Sequence, residues 1–148
     1  ATENMNLVHP ALRTVTDVQK YTAEVAQRVA SLGLKGAEGT YLVHLYGRQA
    51  DEILKLAEAQ GNPDPEINLA LSELTFSIRH EMVVHADDFL VRRTGLLYFN
   101  IHRVEKVLLA VLESLATSLK WSDERRNAER ERIHDLIHQA TAFRNPSV

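Results

Sequence analysis

The strongest constraint on the fold lies between Asn100 and Leu119. Apolar residues recur at Ile101, Val104, Leu108, Val111 and Leu115, with Val107, Leu112 and Leu119 beside them. Spacings of three and four place them on one side of an α-helix, whereas the period of two in a strand would divide them between two faces. The stripe is wide enough to need partners along most of its length, so this helix is read as the central one. Asn100 stands where an N-cap is required. A chain organised around such an element is expected to be helical, and its punctuation agrees.

Thr16 followed by Gln19 fits a capping box, in which the hydroxyl and the amide each satisfy a backbone N–H of the first turn. Tyr21, Val25, Val29 and Leu32 then recur at helical spacing until Gly33. A short helix is expected over 37–46, with Tyr41, Leu42 and Leu45 inward and Gly47 just past its end. The next runs from Arg48 to Gln60, carries Ile53, Leu54 and Ala57, and is closed by Gly61. In Asn62-Pro63-Asp64-Pro65, Asp64 can cap and Pro65 can take the first helical position, where its missing N–H costs nothing. The helix that follows presents Leu71, Leu74 and Ile78 and is expected to end near Met82. A short helix is placed over 86–94, before Gly95. Ser122 can cap a last helix whose first half, Asp123 to Arg132, is read as solvated, and whose later stripe of Ile133, Leu136, Ile137 and Ala140 packs. No period-two run is long enough for a strand; Leu96 to Phe99 has four residues and no partner. The fold class is therefore all-α, a single compact bundle of about six helices with no significant sheet. Residues 1–15 are expected as an N-terminal extension, 16–143 as the helical domain and 144–148 as a tail.

The 148 residues suffice for one domain with a core. A formal net charge of -3 offers no general attraction to nucleic acid or anionic lipid. The absence of cysteine excludes disulfides and thiolate metal sites. No apolar run approaches the roughly 20 residues that span a bilayer. Ala1 to Pro10 lacks the basic start and apolar core of a signal peptide, and its polar opening is what a piece of a longer chain would show.

Candidate chemistry is sparse. His80 and His85 flank Glu81, but they are five apart, about 140° round a helix, and do not match the metalloprotease spacing of four. His85 is read as a residue near a cap. His134 and His138 have the spacing to share a metal but no evident third ligand, and are read as surface histidines near a helix C-terminus, where a cation is favoured. Gly33, Gly36 and Gly39 follow no strand and do not match a dinucleotide fingerprint; they are read as a joint between helices. Arg125, Arg126, Arg130 and Arg132 alternate with Asp123, Glu124, Glu129 and Glu131, which is a solvated face rather than a nucleic-acid patch. The remaining feature is Asp88-Phe89-Leu90-Val91-Arg92-Arg93-Thr94-Gly95. Asp88 and Arg92 are four apart and can pair. Adjacent arginines point about 100° apart, so Arg92 and Arg93 meet different partners. Glu81 or Glu73 of the preceding helix is one candidate. The arginines are read as staples between neighbouring helices, with an anion or an attached domain as alternatives.

The segment Glu73-Leu74-Thr75-Phe76-Ser77-Ile78-Arg79-His80-Glu81, followed by Asp87-Asp88-Phe89-Leu90-Val91-Arg92-Arg93-Thr94-Gly95-Leu96, resembles the C-terminal domain of FAD-dependent glycerol-3-phosphate dehydrogenases and oxidases. Tyr46-Gly47 with Ala50, and Leu119-Lys120-Trp121-Ser122, are similar to further family segments. The resemblance extends from about Asp17 to Gln139. Gly95 followed by Leu-Leu-Tyr-Phe looks like the bacterial members. One departure is Val84-His85, where the family usually carries a small hydroxyl residue before the short helix; this weakens the expected N-cap.

The resemblance implies a whole enzyme that oxidises sn-glycerol 3-phosphate to dihydroxyacetone phosphate with FAD as hydride acceptor. It places the flavin fold in an N-terminal portion outside this chain. No catalytic, cofactor-binding or metal residue is carried over, and Glu73, Glu81, Asp88, Arg92, Arg93, Thr94 and Gly95 are expected as a structural motif. The expected partner is the flavin domain of the same polypeptide, with a homo-oligomer allowed, no nucleic acid, and membrane contact only through the whole enzyme. The expected location is cytoplasmic, at the membrane periphery as part of that enzyme. The competing reading is a stand-alone helical adaptor.

Overall fold

The structure is a computed structural model that describes residues 12–142. Among the described residues there are seven α-helices, one 3₁₀ turn and one π-helical turn, with no strand, so the all-α expectation holds. None of these helices is long and apolar enough to cross a membrane. The contacts gather into two compact units, one ending at Ser72 and the other beginning at Glu73.

The first unit holds α1 (Val15–Ser31), α2 (Ala37–Tyr46), a 3₁₀ turn (Gly47–Gln49), α3 (Ala50–Gln60) and the start of α4 (Pro65–His80). Helix α1 is capped by Thr14, whose hydroxyl accepts from Asp17 N–H, while the Asp17 carboxylate accepts from Thr14 N–H. The capping box thus sits two residues before the expected Thr16–Gln19 pair. A charged carboxylate at the third helical position accepts more strongly than an amide and also meets the positive end of the helix dipole. The Thr14 side chain and then its backbone N–H hold the Asp17 carboxyl below its usual range.

Tyr21, Val25 and Val29 of α1 pack in a core with Leu42, Val43, Tyr46, Ile53, Leu54 and Ala57. Leu45, expected inward, is 42% exposed, and Val43 and Tyr46 take the inward positions. Gly39 explains how α1 and α2 come so close: a Cβ there would lie 2.6 Å from the Ala26 Cα. Arg28 ties α1 to α3 through Asp51 and Glu58, each at 2.9 Å. Asp64 caps α4 by accepting from Glu66 and Ile67 N–H, with Pro65 at the first helical position as expected.

The second unit holds the rest of α4, the π turn Asp88–Arg93, α5 (Leu96–Phe99), α6 (Ile101–Leu119) and α7 (Asp123–Ala142). Helix α4 stops at His80, two residues before the expected end, because Met82 turns the chain with φ 56°. Leu96 to Phe99 forms one helical turn. Asn100 caps α6 by accepting from Arg103 N–H. Most of the apolar stripe of α6 is buried: Val104, Val107, Leu108, Val111, Leu112 and Leu115 lie in the core of this unit, with Leu74, Phe76, Phe89, Leu90 and Ile133, whereas Ile101 and Leu119 at the helix ends are partly exposed. Helix α7 lies along α6, capped by the Ser122 hydroxyl.

Two leucines three apart on α6 test this packing. Leu112 is 1% exposed and Leu109 is 67% exposed. Leu112→Ala is expected to cost about 2–4 kcal/mol, and Leu109→Ala less than about 0.5 kcal/mol, in denaturant unfolding of the purified chain. A second expectation concerns the α1 cap. Because the folded Asp17 pKa is depressed, its contribution is present above the unfolded value of 3.8 and is lost as pH falls through the folded value. Thr14→Ala removes the hydroxyl but keeps the backbone N–H donors, so it should raise the Asp17 pKa part of the way towards its ordinary value, as read by NMR of its side-chain carbon.

Candidate functional site

The charged residues singled out in the sequence converge on the short helical segment of the second unit. Helical conformation begins at Ala86 and becomes π-helical from Asp88 to Arg93. The wider turn closes at Thr94, whose backbone N–H and hydroxyl both donate to the Phe89 carbonyl, at 3.0 and 2.8 Å. A five-residue reach replaces the usual four, and the threonine hydroxyl reinforces it. Thr94 Oγ1 also accepts from Leu96 N–H at 3.4 Å. Gly95 follows in the left-handed region at φ 65°, and a Cβ there would crowd the Phe99 ring at 3.1 Å. Threonine and glycine at these positions therefore have separate structural reasons.

Asp88 and Arg92 pair as their spacing predicts, at 2.7 Å. Arg92 also reaches Asp87 at 3.6 Å. Arg93 turns the other way and meets Glu81 at 2.9 Å. Glu73 lies in α4, fully buried. The burial of these pairs is uneven. The side chains of Glu81, Asp87 and Asp88 are 14%, 9% and 15% exposed, while those of Arg92 and Arg93 are 66% and 43% exposed. Only the acidic half of the joint is desolvated.

The start of the segment contains what the sequence reading missed. A small hydroxyl cap is absent at Val84-His85, and two carboxylates supply its function. Asp88 reaches back to accept from Val84 and His85 N–H at 3.2 and 3.0 Å. Glu129, from α7, accepts from Ala86 N–H at 2.9 Å through Oε2. Its Oε1 lies 2.5 Å from His85 Nδ1. With Glu129 ionised, that ring nitrogen is the donor. Arg132, one turn further along α7, meets Asp87 Oδ2 at 3.0 Å.

The start of α7 is therefore not uniformly solvated: Glu129 is 6% exposed. The signal was present in the register. Glu129 stands four residues before Ile133, on the same side of the helix as the apolar stripe that begins there. Its charge, among alternating charges, concealed its position. His80 and His85 share no site: His80 stacks on Phe76 with ring centroids 4.7 Å apart, while His85 belongs to the Glu129 contact. His134 and His138 are both exposed on α7.

Two surface hollows of similar size lie among the described residues of this unit. One, of about 360 Å³, is lined by residues 81–85 with Asp88, Arg92 and Arg93. The other, of about 380 Å³, is lined by residues 97–102 with Ala140 and Thr141. Tyr98 and Phe99 at its edge are 70% and 89% exposed.

Comparison with known proteins gives a consistent result. The family model for the C-terminal domain of alpha-glycerophosphate oxidase matches residues 11–126. The aerobic glycerol-3-phosphate dehydrogenase of Staphylococcus haemolyticus is 35% identical over 112 residues, covering 75% of this chain and 20% of that protein. That of Bacillus subtilis is 30% identical over 122 residues, covering 80% of this chain and 22% of that protein. The solved structure of the glycerol-3-phosphate dehydrogenase from Bacillus halodurans, complexed with FAD, superimposes with a TM-score of 0.73 at 28% identity. It covers 90% of this chain and 27% of that one. The chain thus spans about a fifth to a quarter of the length of these relatives.

The uneven burial of the ion pairs separates the two arginines. Removing Arg92 leaves Asp88 with two backbone donors and Asp87 with Arg132, so Arg92→Ala should cost less than about 0.5 kcal/mol. Removing Arg93 leaves the largely buried Glu81 carboxylate without its cation, and Arg93→Ala should cost about 1–2 kcal/mol. Equal losses in thermal unfolding of the two variants would contradict this account.

Proposed function

The chain belongs to the family of C-terminal domains of alpha-glycerophosphate oxidase, and from that premise we propose that it is the helical, non-catalytic C-terminal part of an FAD-dependent glycerol-3-phosphate dehydrogenase. In the whole enzyme, sn-glycerol 3-phosphate would be oxidised to dihydroxyacetone phosphate with transfer of a hydride to FAD. The observation that carries this reading is the similarity to an FAD-complexed glycerol-3-phosphate dehydrogenase over 90% of this chain, which accounts for 27% of that structure. The flavin and the substrate groups would belong to the remaining, N-terminal portion, on which this domain packs.

The side chains of the motif are consistent with a structural part. Glu81, Asp87 and Asp88 engage Arg93, Arg132 and Arg92. Thr94 is engaged with the Phe89 carbonyl. Such mutual neutralisation leaves little for a reacting group, since catalytic acids and nucleophiles need an unspent proton or lone pair directed at substrate. The exposed Tyr98 and Phe99 fit a domain that is covered by another part of its polypeptide. Any membrane contact would come through the whole enzyme, at the cytoplasmic face.

Two measurements test the proposal. The purified 148-residue chain should show no flavin absorption after addition of FAD and gel filtration, and no turnover of glycerol 3-phosphate. A stoichiometric flavin band would sink the non-catalytic reading. The coding sequence upstream should contain a strand followed by G-x-G-x-x-G, the dinucleotide-binding signature. An initiation codon placed directly before Ala1 would sink the larger-enzyme reading and favour a stand-alone adaptor.

A further inference from the structure

Three donors of the second unit meet at one point for which the family assignment gives no reason. His85, Asp87 and Glu129 each offer one ligand atom, and these atoms lie within 4.8 Å of one another. Asp87 and Glu129 are each 6% exposed, which is rare for carboxylates. Their oxygens are unequally used. Asp87 Oδ2 is held by Arg132 at 3.0 Å and by Arg92 at 3.6 Å, while the buried Asp87 Oδ1 has no hydrogen-bond partner. Glu129 Oε2 is held by Ala86 N–H, while Oε1 faces the His85 ring. Asp87 thus has one oxygen fixed by arginine and one without a partner, while Glu129 has one oxygen fixed by a backbone N–H and one that meets only the half-exposed His85 ring.

That division is the arrangement of a preorganised metal ligand, in which an outer hydrogen bond sets the rotation of the coordinating group. A buried carboxylate oxygen left without a donor also costs free energy, which a cation would offset. We propose that His85 Nδ1, Asp87 Oδ1 and Glu129 Oε1 form a binding site for a divalent transition-metal ion of the zinc type. One imidazole with two carboxylates suits zinc, cobalt or manganese better than magnesium or calcium, which favour all-oxygen sets. Binding takes the place of the proton between His85 and Glu129, which moves to Nε2 of a neutral ring or leaves an imidazolium for solvent, so that the metal-bound ring is neutral with its proton on Nε2. The two ligand atoms separate from 2.5 Å to roughly 3.3 Å, the ligand–ligand distance in a tetrahedral zinc site. The His85 side chain is 40% exposed, so the ion has a path in and a water can complete the coordination.

The site clamps the start of α7 to the segment 85–87. Glu129 lies past residue 126, where the family-model match ends, so the ligand set is not a property of the matched span alone. The proposal does not depend on the enzyme to which the domain belongs. No ligand spacing marks it in the sequence, because the donors come from residues 44 apart in the chain.

The test uses the purified chain after treatment with a chelator. Titration with zinc chloride in a calorimeter should show one equivalent bound. At a hundredfold excess of free zinc over Kd, Tm should rise by about 5–10 °C. His85→Gln, at a half-exposed position, should weaken binding by more than about 100-fold. The double variant H134A/H138A, which removes the other histidine pair with metal-ligand spacing, should bind as the parent does. Cobalt(II) needs no variant: visible bands more intense than those of the hexaaquo ion are expected. Overturning results would be no zinc-dependent shift in Tm, undiminished affinity in His85→Gln, loss of binding in H134A/H138A, or a hexaaquo-like cobalt spectrum.

Discussion

The Glu129 carboxylate is the contact on which the arrangement of the second unit turns. It is nearly inaccessible to water, and both of its oxygens are engaged, one by the Ala86 N–H and the other by the His85 ring. A helix start leaves N–H groups without intrahelical partners, and a side chain just before it normally satisfies one of them. Val84 offers no such group. The duty passes to Asp88 from within the segment and to Glu129 from α7, 43 residues after Ala86. A local deficiency has thereby become a tertiary contact. The cap that would have made the segment self-sufficient instead makes it depend on α7, and α7 depends on it in return, since Glu129 needs these donors to be buried at all.

The π turn adds a second constraint on the same segment. Widening a helix by one residue leaves the backbone short of its ordinary hydrogen bond, and isolated π turns are rare for that reason. Here Thr94 supplies two donors to one carbonyl, and Gly95 takes up the left-handed conformation that ends the run. Asp87 and Asp88 sit before and within the widened turn, and Arg92 and Arg93 at its end. The distribution of burial follows: acids face the protein, and guanidinium groups remain at the surface. For arginine this costs little, because its head is satisfied by water as well as by carboxylate. The carboxylates have no such recourse, so their partners matter more to them than they do to the arginines.

Much of this was legible in the residues, and the reason differs from place to place. Leu112 and Val111 declared α6 because an apolar stripe at helical spacing has one inexpensive solution. Asn100, Asp64-Pro65 and Gly61 marked boundaries because each acts through its own backbone neighbours, and neighbours in sequence are visible. Asp88 and Arg92 were legible for the same reason. Thr16 and Gln19 misled by two residues because Thr14 and Asp17 satisfy the same rule with a stronger acceptor. The π turn was not legible, since its defining bond differs from an ordinary helix by one residue of reach. Glu129 was hidden most deeply: its role is set by a gap at Val84-His85, and nothing local connects the two.

The contact that sequence patterns concealed also gathers more polar groups than a helix cap needs. A small hydroxyl before the short helix can satisfy a free N–H without help and demands nothing of α7. Where histidine and a distant glutamate take that place, the same position acquires an imidazole, a buried carboxylate and, beside them, the second buried carboxylate of Asp87. Capping requires only one acceptor oxygen, and Glu129 Oε2 provides it. Oε1, the His85 ring and the unpartnered Asp87 oxygen exceed that requirement. Burying polar groups beyond what capping needs is unfavourable unless they meet a partner. For His85 and Glu129 the shared proton is such a partner. For Asp87 Oδ1 no protein donor plays that role, and a cation shared by all three groups would satisfy it while leaving the Ala86 cap undisturbed.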